Sequence, residues 1–221
     1  SDPAMNWRLS ALDKITLISN SDAHSLQKIG REANVFDTDL GYAGICDALK
    51  TKDPKKFLYT IEFFPEEGKY HYDGHRLCQV SFAPQKSKKN QGICPKCKRP
   101  LTIGVLNRVE ELADRAEGTV PPNAIPFKSL IPDVLGVGVG TKQSRLEYDK
   151  LIARFQTEFG VLLDADDSEL KSTTLPEIAE GIQRVREGKV QIEPGYDGEY
   201  GKIKIFGENE KRHSLSQKTL F

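Results

Sequence analysis

The chain has 221 residues, of which 38% are hydrophobic and 29% are charged. Its 32 basic and 32 acidic residues cancel, so no overall charge draws it to nucleic acid or to a membrane, and any binding of a polyanion must come from local patches. No apolar run is long enough to span a bilayer and no signal-peptide pattern is present, so we expect a cytoplasmic protein without a membrane partner.

Residues 1–5 have the pattern of an expression tag followed by an engineered start. In residues 6–60, the apolar run at 14–18 predicts a buried strand, and Asp22 and His24 lie in the polar loop that follows it. Reactive side chains of barrel and open α/β folds lie on such loops, and an Asp-x-His pair could reach one metal ion from there. A solvated turn with Asp22 as its cap is the alternative interpretation.

Two further features of residues 6–60 complete this part of the prediction. Arg31 and Asn34 lie in a stretch whose side chains could hold a phosphate or a carboxylate. Residues 42–50 then predict a short helix, and residues 57–64 predict a strand that leads into the next segment.

Residues 61–118 contain three of the four cysteines. The pattern is His-x2-Cys, then fifteen residues, then Cys-x2-Cys, with the four side chains His75, Cys78, Cys94 and Cys97. Two residues between ligands allow one tight turn to direct both side chains at one ion, and two such turns complete the tetrahedral set that Zn²⁺ prefers. We therefore predict a structural zinc site, with His71 as the rival histidine ligand and free buried cysteines as the alternative.

Basic and aromatic side chains alternate around these predicted ligands. A surface of this kind can hold phosphates and stack on an exposed base, which predicts contact with DNA. The alternative is that the tyrosines pack on the zinc core and the basic residues are ordinary solvated charge. The candidate DNA-binding residues of this segment are Lys69, Tyr70, His71, Tyr72 and Arg76. Residues 104–115 then predict a helix.

Residues 119–206 predict a small helical domain closed by a β-hairpin, after a proline-rich connector. The glycine-rich run at 135–142 predicts either a phosphate-binding loop or a tight turn between helices. Thr174 to Glu177 form the pattern of a capping box, and the helix that it opens is predicted to bury Ile178, Ile182 and Val185. Residues 189–193 and 202–206 predict the two strands of the hairpin.

Residues 207–221 are polar and predict a disordered tail. The tail ends in Gln217, Leu220 and Phe221, an arrangement that resembles the Gln-x-x-Leu-Phe peptide by which bacterial proteins bind the sliding clamp. A disordered tether would deliver the two apolar anchors to a groove, although matches of this length also arise by chance. We therefore predict the bacterial sliding clamp as a partner and a nucleoid-associated location.

Several strings of this sequence together resemble endonuclease Q, a family of the polymerase-and-histidinol-phosphatase (PHP) superfamily. They are SNSDAHS, GREANVFD, EFFPEEGKYHYDGHR, CPKC and IGVLNRVEELADR. The resemblance implies an α+β chain with a remnant of the PHP β/α barrel, a zinc-ribbon-like domain and the small helical domain with its hairpin. It also implies a DNA repair endonuclease that nicks DNA at deaminated bases (hypoxanthine, uracil or xanthine) and at abasic sites.

The resemblance implies roles for two groups of residues. Asp22 and His24 match ligands of the catalytic cluster, which holds further divalent metal ions in a complete PHP site. The zinc ligands match the four residues that the spacing predicts.

The sequence departs from the PHP pattern in one respect. PHP domains begin with a His-x-His motif, and none of the chain's four histidines forms one. A hydrolytic metal cluster needs several ligands, so we expect residues 6–60 to be the C-terminal part of a PHP domain with an incomplete catalytic site. Two alternatives stay open: a non-catalytic zinc-dependent module that binds nucleic acid or the clamp, and a PHP-type phosphoesterase acting on a small molecule.

Overall fold

The computed structural model of the chain describes residues 2–26, 29–130 and 142–207. These residues form two compact units, the first from Ser1–Lys128 with Ile192–Lys202, the second from Ser129–Gln191 with the residues from Ile203. Helices and short strands occur together, so the predicted mixed α and β class is confirmed.

The first unit contains helices and strands in mixed order. Its elements are helix α1 (Pro3–Asn6), a 3-10 turn (Ser10–Lys14), strand β1 (Ala33–Phe36), helix α2 (Tyr42–Thr51), strand β2 (Phe57–Glu62), a 3-10 turn (Pro65–Glu67), strand β3 (Asp73–His75), a 3-10 turn (Arg76–Cys78), strand β4 (Val80–Phe82), helices α3 (Pro84–Lys89) and α4 (Val105–Leu112), and strand β5 (Phe127–Ser129).

Strands β1, β2 and β5 form a three-stranded sheet in that order, with β1 antiparallel to β2. Strand β2 buries Phe57, whose ring stacks on Phe36 with 4.6 Å between ring centroids. Ala48 of α2 and Ile125 complete this apolar cluster. The predicted helix at 42–50 and strand at 57–64 are therefore confirmed, because each supplies the apolar face that the other covers.

The predicted strand at residues 14–18 is wrong. The chain forms a 3-10 turn up to Lys14 and then runs extended without a strand partner, with Ile15 56% and Ile18 54% exposed. Side chains bond this stretch instead of a strand ladder: the ammonium of Lys52 donates to the C=O of Ile15 at 3.0 Å, and the hydroxyl of Thr16 donates to the C=O of Leu49 at 2.7 Å. An apolar run alone cannot form a strand where no neighbouring backbone pairs with it.

The second unit is helical. Its elements are α5 (Lys142–Phe155), a π-helical turn (Gly160–Asp164), α6 (Asp167–Thr173) and α7 (Pro176–Arg186). Helix α7 buries Ile178, Ile182 and Val185, each no more than 2% exposed, which confirms the predicted inner face.

The predicted capping box at residues 174–177 is wrong. The hydroxyl of Thr174 donates to the carboxylate of Glu147 at 2.8 Å, and α7 begins without a side-chain cap. Glu147 lies on α5 and is 1% exposed, and its other oxygen accepts from the ammonium of Lys150 at 2.7 Å. A buried carboxylate must be satisfied by donors, so it takes the threonine hydroxyl that the local pattern would assign to the helix end.

Strands β6 (Gln191–Glu193) and β7 (Lys202–Lys204) pair as the predicted hairpin. Residues 194–201 connect them and are called the return loop below. The sequence places this loop in the predicted domain at 119–206, whereas the contacts group residues 192–202 with the first unit.

Candidate metal centre and nucleic-acid surface

The four predicted zinc ligands lie together in the first unit. One ligand atom from each of His75, Cys78, Cys94 and Cys97 lies within 4.8 Å of the others, and Nδ1 of His75 is 3.8 Å from Sγ of Cys97. A tetrahedral zinc ion with bonds of about 2.0–2.3 Å separates its ligand atoms by roughly 3.4–3.8 Å. The group therefore fits a metal ion such as zinc, and across residues 2–26, 29–130 and 142–207 no other group of three or more such side chains does.

Two short turns bring these ligands to one point. Strands β3 and β4 pair antiparallel, with His75 opposite Val80, and the 3-10 turn between them carries Cys78. In the second turn the N–H of Cys94 donates to the C=O of Arg99 at 2.8 Å, and the N–H of Lys98 donates to the C=O of Cys94 at 2.9 Å. This closed turn holds the second pair of cysteine side chains on one side of the backbone.

The thiols of the cluster differ in their electrostatic surroundings. Burial raises the pKa of Cys94, but the N–H groups of Cys97 and Lys96 donate to its sulfur, and they hold the pKa below the usual cysteine range. Burial, together with the hydrogen bonds that its own S–H donates to the sulfurs of Cys97 and Cys94, raises the pKa of Cys78 to about 11. Three thiolates at this spacing need a cation between them, and binding a divalent ion releases their protons.

A small apolar cluster supports the metal centre. It consists of Val80, Phe82, Cys94 and Leu101, with Cys78 and Cys97 packed against it. The three cysteine side chains are therefore part of the core of this segment.

His71, the rival ligand, lies apart from the cluster. Its ring is 5% exposed and stacks on Tyr72 with 5.4 Å between ring centroids. Burial holds the pKa of this imidazole below the usual histidine range. Of the two histidines, His75 is the one that lies with the three cysteines.

The return loop packs on residues 65–102, which are called the metal-binding segment below. No pattern in the sequence predicts this contact. The N–H of Tyr72 donates to the C=O of Gly195 at 2.9 Å, and backbone carbonyls of residues 66, 67 and 69 accept from Gly195, Gly201 and Gly198 at 2.8–3.0 Å. A Cβ on Gly201 would lie 1.9 Å from the carbonyl oxygen of Glu66, so only glycine fits there. In the sequence, the three glycines of the loop indicate a tight turn, but they do not indicate which residues the turn contacts.

Several of the predicted DNA-binding side chains surround this loop at the surface. Lys69 is exposed and its ammonium lies 5.4 Å from the ring centroid of Tyr200, while Tyr70 is 46% exposed. A Cβ on Gly198 would lie 3.5 Å from Nη1 of Arg76 and 3.8 Å from Oη of Tyr70, so both side chains reach the same turn. Basic and aromatic groups thus share one exposed patch, which we call the Lys69 patch: Lys69, Tyr70, Arg76 and Tyr200.

Asp22 and His24 lie in a separate, open hollow of about 400 Å³. Both are exposed, and Arg31 and Phe63 also line the hollow. Nδ1 of His24 donates to the backbone C=O of Asp22 at 2.7 Å, and Asp22 has a φ of 43°. Among the described residues, no third histidine, cysteine or carboxylate comes close enough to complete a metal cluster with them.

Some predicted sites fall outside the described residues. They are the clamp-binding peptide with Gln217, Leu220 and Phe221, and most of the glycine-rich run at 135–142. In the part of the chain that the structure describes, none of the helices has both the length and the apolar character that crossing a membrane requires.

Comparison with known proteins gives partial matches among sequences. The model of the MJ0043 C-terminal domain family matches residues 126–189. The uncharacterized protein MJ0043 of Methanocaldococcus jannaschii is 36% identical over 217 residues, which cover 92% of this chain and 27% of that protein. The uncharacterized protein YqxK of Bacillus subtilis is 34% identical over 205 residues, covering 92% of this chain and 50% of that protein. The chain thus spans half or less of the length of these curated relatives.

Solved structures match the fold over nearly the whole chain. The lesion-specific endonuclease PfuEndoQ of Pyrococcus furiosus superposes with a TM-score of 0.82 at 31% identity, covering 94% of this chain and 54% of that one. An endonuclease Q in complex with a 27-mer duplex, with an abasic lesion at the active site, gives a TM-score of 0.76 at 29% identity, covering 96% and 55%.

Fold and site together define an α+β chain with a three-cysteine, one-histidine metal-binding group and a DNA repair endonuclease-like fold. The resemblance that the sequence motifs indicated is confirmed, since nearly the whole chain is similar to endonuclease Q structures.

Proposed function

We propose that this chain is part of a DNA repair endonuclease and supplies its zinc-stabilised, lesion-binding portion. The substrate is duplex DNA that carries a deaminated base, such as hypoxanthine, uracil or xanthine, or an abasic site. The observation that carries the proposal is the likeness of nearly the whole chain to an endonuclease Q whose structure holds duplex DNA with an abasic lesion. The chain covers about half of that protein, so cleavage itself is proposed for the longer protein.

Zinc is the metal that the donor set favours. His75, Cys78, Cys94 and Cys97 would hold it, because three thiolates and one imidazole suit Zn²⁺ better than the hard ions that prefer oxygen. Since protein side chains would take all four coordination positions, the ion would cross-link two turns and take no part in hydrolysis.

Asp22 and His24 are proposed as two ligands of a separate catalytic cluster of divalent ions. Both line an open hollow together with Arg31, whose guanidinium suits a phosphate group. The remaining ligands would have to come from outside the described residues, because none of these completes the set.

The Lys69 patch is proposed to hold the DNA. Lys69 and Arg76 would contact phosphates, and Tyr70 and Tyr200 would stack on an exposed base. His71 and Tyr72 support the patch from beneath, since His71 is buried and stacks on Tyr72. Asn34 would act indirectly, because its carboxamide is bonded to the backbone of Ser19.

DNA binding by the purified chain tests this proposal. Fluorescence anisotropy would compare an abasic duplex with an undamaged one, for the wild type and for the double variant Lys69→Ala/Arg76→Ala. We expect the wild type to prefer the abasic duplex, and the double variant to bind about tenfold more weakly with a salt dependence reduced by about two phosphate contacts.

The matched control is Lys50→Ala/Lys55→Ala, which removes the same charge from exposed positions of the same unit. Equal weakening by the two double variants would show that only net charge matters and would reject the patch. A wild-type chain without affinity for DNA would instead favour the phosphoesterase alternative. DNA binding without lesion preference would favour a non-catalytic binding module.

The sliding clamp is proposed as a second partner. This part rests on the sequence of Gln217 to Phe221, whose two terminal apolar residues resemble a clamp-binding peptide. Binding to the clamp would bring the repair protein to newly copied DNA and account for a nucleoid-associated location.

A further inference from the structure

We propose that Asp197 is a positioning residue of the metal centre and that, through it, the return loop sets how tightly the chain holds its ion. The inference rests on the metal centre of the proposed function and needs neither DNA binding nor cleavage. Asp197 is separated from Arg76 by 121 residues, and its carboxylate nevertheless bonds to both sides of the metal-binding segment.

One carboxylate oxygen fixes the turn that carries the first ligand pair. Oδ2 of Asp197 accepts from the backbone N–H of Arg76 at 2.6 Å. Arg76 directly follows His75 and begins the 3-10 turn that ends at Cys78. The bond therefore restrains the backbone between these two ligands, which determines where the imidazole and the thiol point.

The other carboxylate oxygen restrains the segment that follows the second ligand pair. Oδ1 of Asp197 accepts from the hydroxyl of Thr102 at 2.5 Å. Thr102 pairs with Gly74 through two backbone hydrogen bonds of 2.9 and 2.8 Å, and Leu101 beside it bonds to the C=O of Gly92 at 2.7 Å. Asp197 thus ties the turn after His75 to the chain that leaves the Cys94–Cys97 turn.

The backbone around Asp197 is restricted by its own conformation and by two tightly packed glycines. Asp197 has a φ of 45°, a conformation that aspartate and asparagine tolerate better than most residues. Gly195 and Gly74 allow no side chain, because a Cβ there would lie 2.4 Å from the carbonyl oxygen of Gly68 and 2.3 Å from the ring of Tyr196, respectively. The close contacts at these two glycines therefore restrict the backbone on both sides of this contact.

Hydrogen bonding determines the protonation state of Asp197. Burial raises its pKa, but the hydrogen bonds from Arg76 and Thr102 outweigh burial and hold the pKa below the usual aspartate range. The group is therefore an anion at neutral pH, close to the imidazole ligand. Groups that orient metal ligands from outside the coordination sphere commonly contribute about 10- to 100-fold to metal affinity.

Metal affinity of two variants tests the inference. Asp197→Gly removes the carboxylate without a penalty for positive φ. Asp197→Asn keeps both hydrogen bonds, because its carbonyl accepts from Arg76 and its amide donates to the hydroxyl of Thr102. Competition with a chromogenic chelator would give the Zn²⁺ affinity of the full chain, and the visible spectrum of bound Co²⁺ would report the geometry of the ligands.

We expect Asp197→Gly to bind Zn²⁺ about 10- to 100-fold more weakly with an altered Co²⁺ spectrum, and Asp197→Asn to stay within about threefold of the wild type. Thr102→Val, which removes one of the two bonds and leaves the loop intact, should give an intermediate loss. It also keeps the test decisive if Asp197→Gly folds poorly.

Asp166→Gly is the matched control. Asp166 likewise accepts two hydrogen bonds, from the N–H and the hydroxyl of Ser168, but it lies in the second unit at the start of α6. Its loss should leave Zn²⁺ affinity unchanged. Wild-type affinity in Asp197→Gly and Thr102→Val would overturn the inference, as would equal weakening by Asp197→Asn and Asp197→Gly. A wild-type chain that binds neither Zn²⁺ nor Co²⁺ would reject the metal centre of the proposed function as well.

Discussion

The metal-binding segment (residues 65–102) and the helical segment (residues 142–186) are stabilised in different ways. The first has strands of three residues and one small apolar cluster of Val80, Phe82, Cys94 and Leu101. The second buries a longer set of apolar side chains: Leu151, Val161, Leu162, Leu170, Ile178, Ile182 and Val185.

The difference follows from the balance between burial and chain entropy. Burial of apolar side chains stabilises a folded segment, while ordering its backbone opposes folding. The metal-binding segment buries fewer apolar side chains, so we expect a bound ion to contribute to its folding. The helical segment buries more of them and has regular helical hydrogen bonds, so we expect it to fold without an ion.

Loss of one metal ligand should give the largest difference between the two segments in how far each stays folded. In Cys94→Ser we expect Zn²⁺ affinity to fall more than about 100-fold and residues 65–102 to lose protection from hydrogen exchange, because the ion contributes directly to folding there. Residues 142–186 should keep their protection. Metal analysis and hydrogen-exchange mass spectrometry would measure both effects.

Cys46→Ser is the control for this variant, since Cys46 is half-buried on α2 and lies outside the metal cluster. It should retain the metal. One zinc ion per chain in Cys94→Ser, or unchanged exchange in residues 65–102, would contradict the comparison.

A core truncation should produce the opposite pattern. Ile182→Ala removes a side chain with no exposed surface, so we expect the helical segment to lose about 2–5 kcal/mol of unfolding free energy while the metal content stays unchanged. Urea denaturation followed by far-UV circular dichroism would measure this loss. Leu146→Ala on α5, where the side chain is 56% exposed, should change stability by less than about 0.5 kcal/mol. Similar losses from the two variants would argue against an apolar core at this position.

Acidification should give the smallest effect in the helical segment. The hydrogen bond from Lys150, helped by Thr174, outweighs burial and holds the pKa of Glu147 below the usual glutamate range. Its stabilisation is therefore complete above the ordinary value of about 4.3 and is lost as the pH falls through the lower folded value. We expect a loss of about 1–3 kcal/mol in acid.

Denaturation of the wild type and of Glu147→Gln across a pH series measures this contribution. The variant should be less stable at neutral pH and should depend less on pH in the acid range. The metal-binding segment should release its ion at a higher pH, because protons compete for its thiolates. Identical pH profiles of stability for the two proteins would show that Glu147 is not the source of the stability lost in acid.

The sequence predicted most reliably what depends on spacing. The convergence of the four candidate metal ligands follows from two short turns, and the inner face of α7 follows from helical periodicity, since both patterns are local. The predicted strand at residues 14–18 and the capping box at Thr174 failed for a common reason. In each case a distant side chain, Lys52 or Glu147, bonds the group that the local pattern would use.

The position of Asp197 could not be predicted for the same physical reason. The turn itself is evident from its glycines, but its partners Arg76 and Thr102 lie 121 and 95 residues away in the chain. A single sequence carries no signal of which distant N–H or hydroxyl a carboxylate will bond.

The return loop also determines where the metal-binding part of the molecule can be cut. Residues 61–118 hold all four ligands. The folded unit also includes residues 194–201, because these residues bond to the backbone of residues 66–76. A shortened protein that stops before residue 194 keeps every ligand but leaves the N–H groups of Tyr72 and Arg76 without their partners. A minimal version of this metal-binding unit therefore has to contain residues 194–201 in addition to residues 61–118.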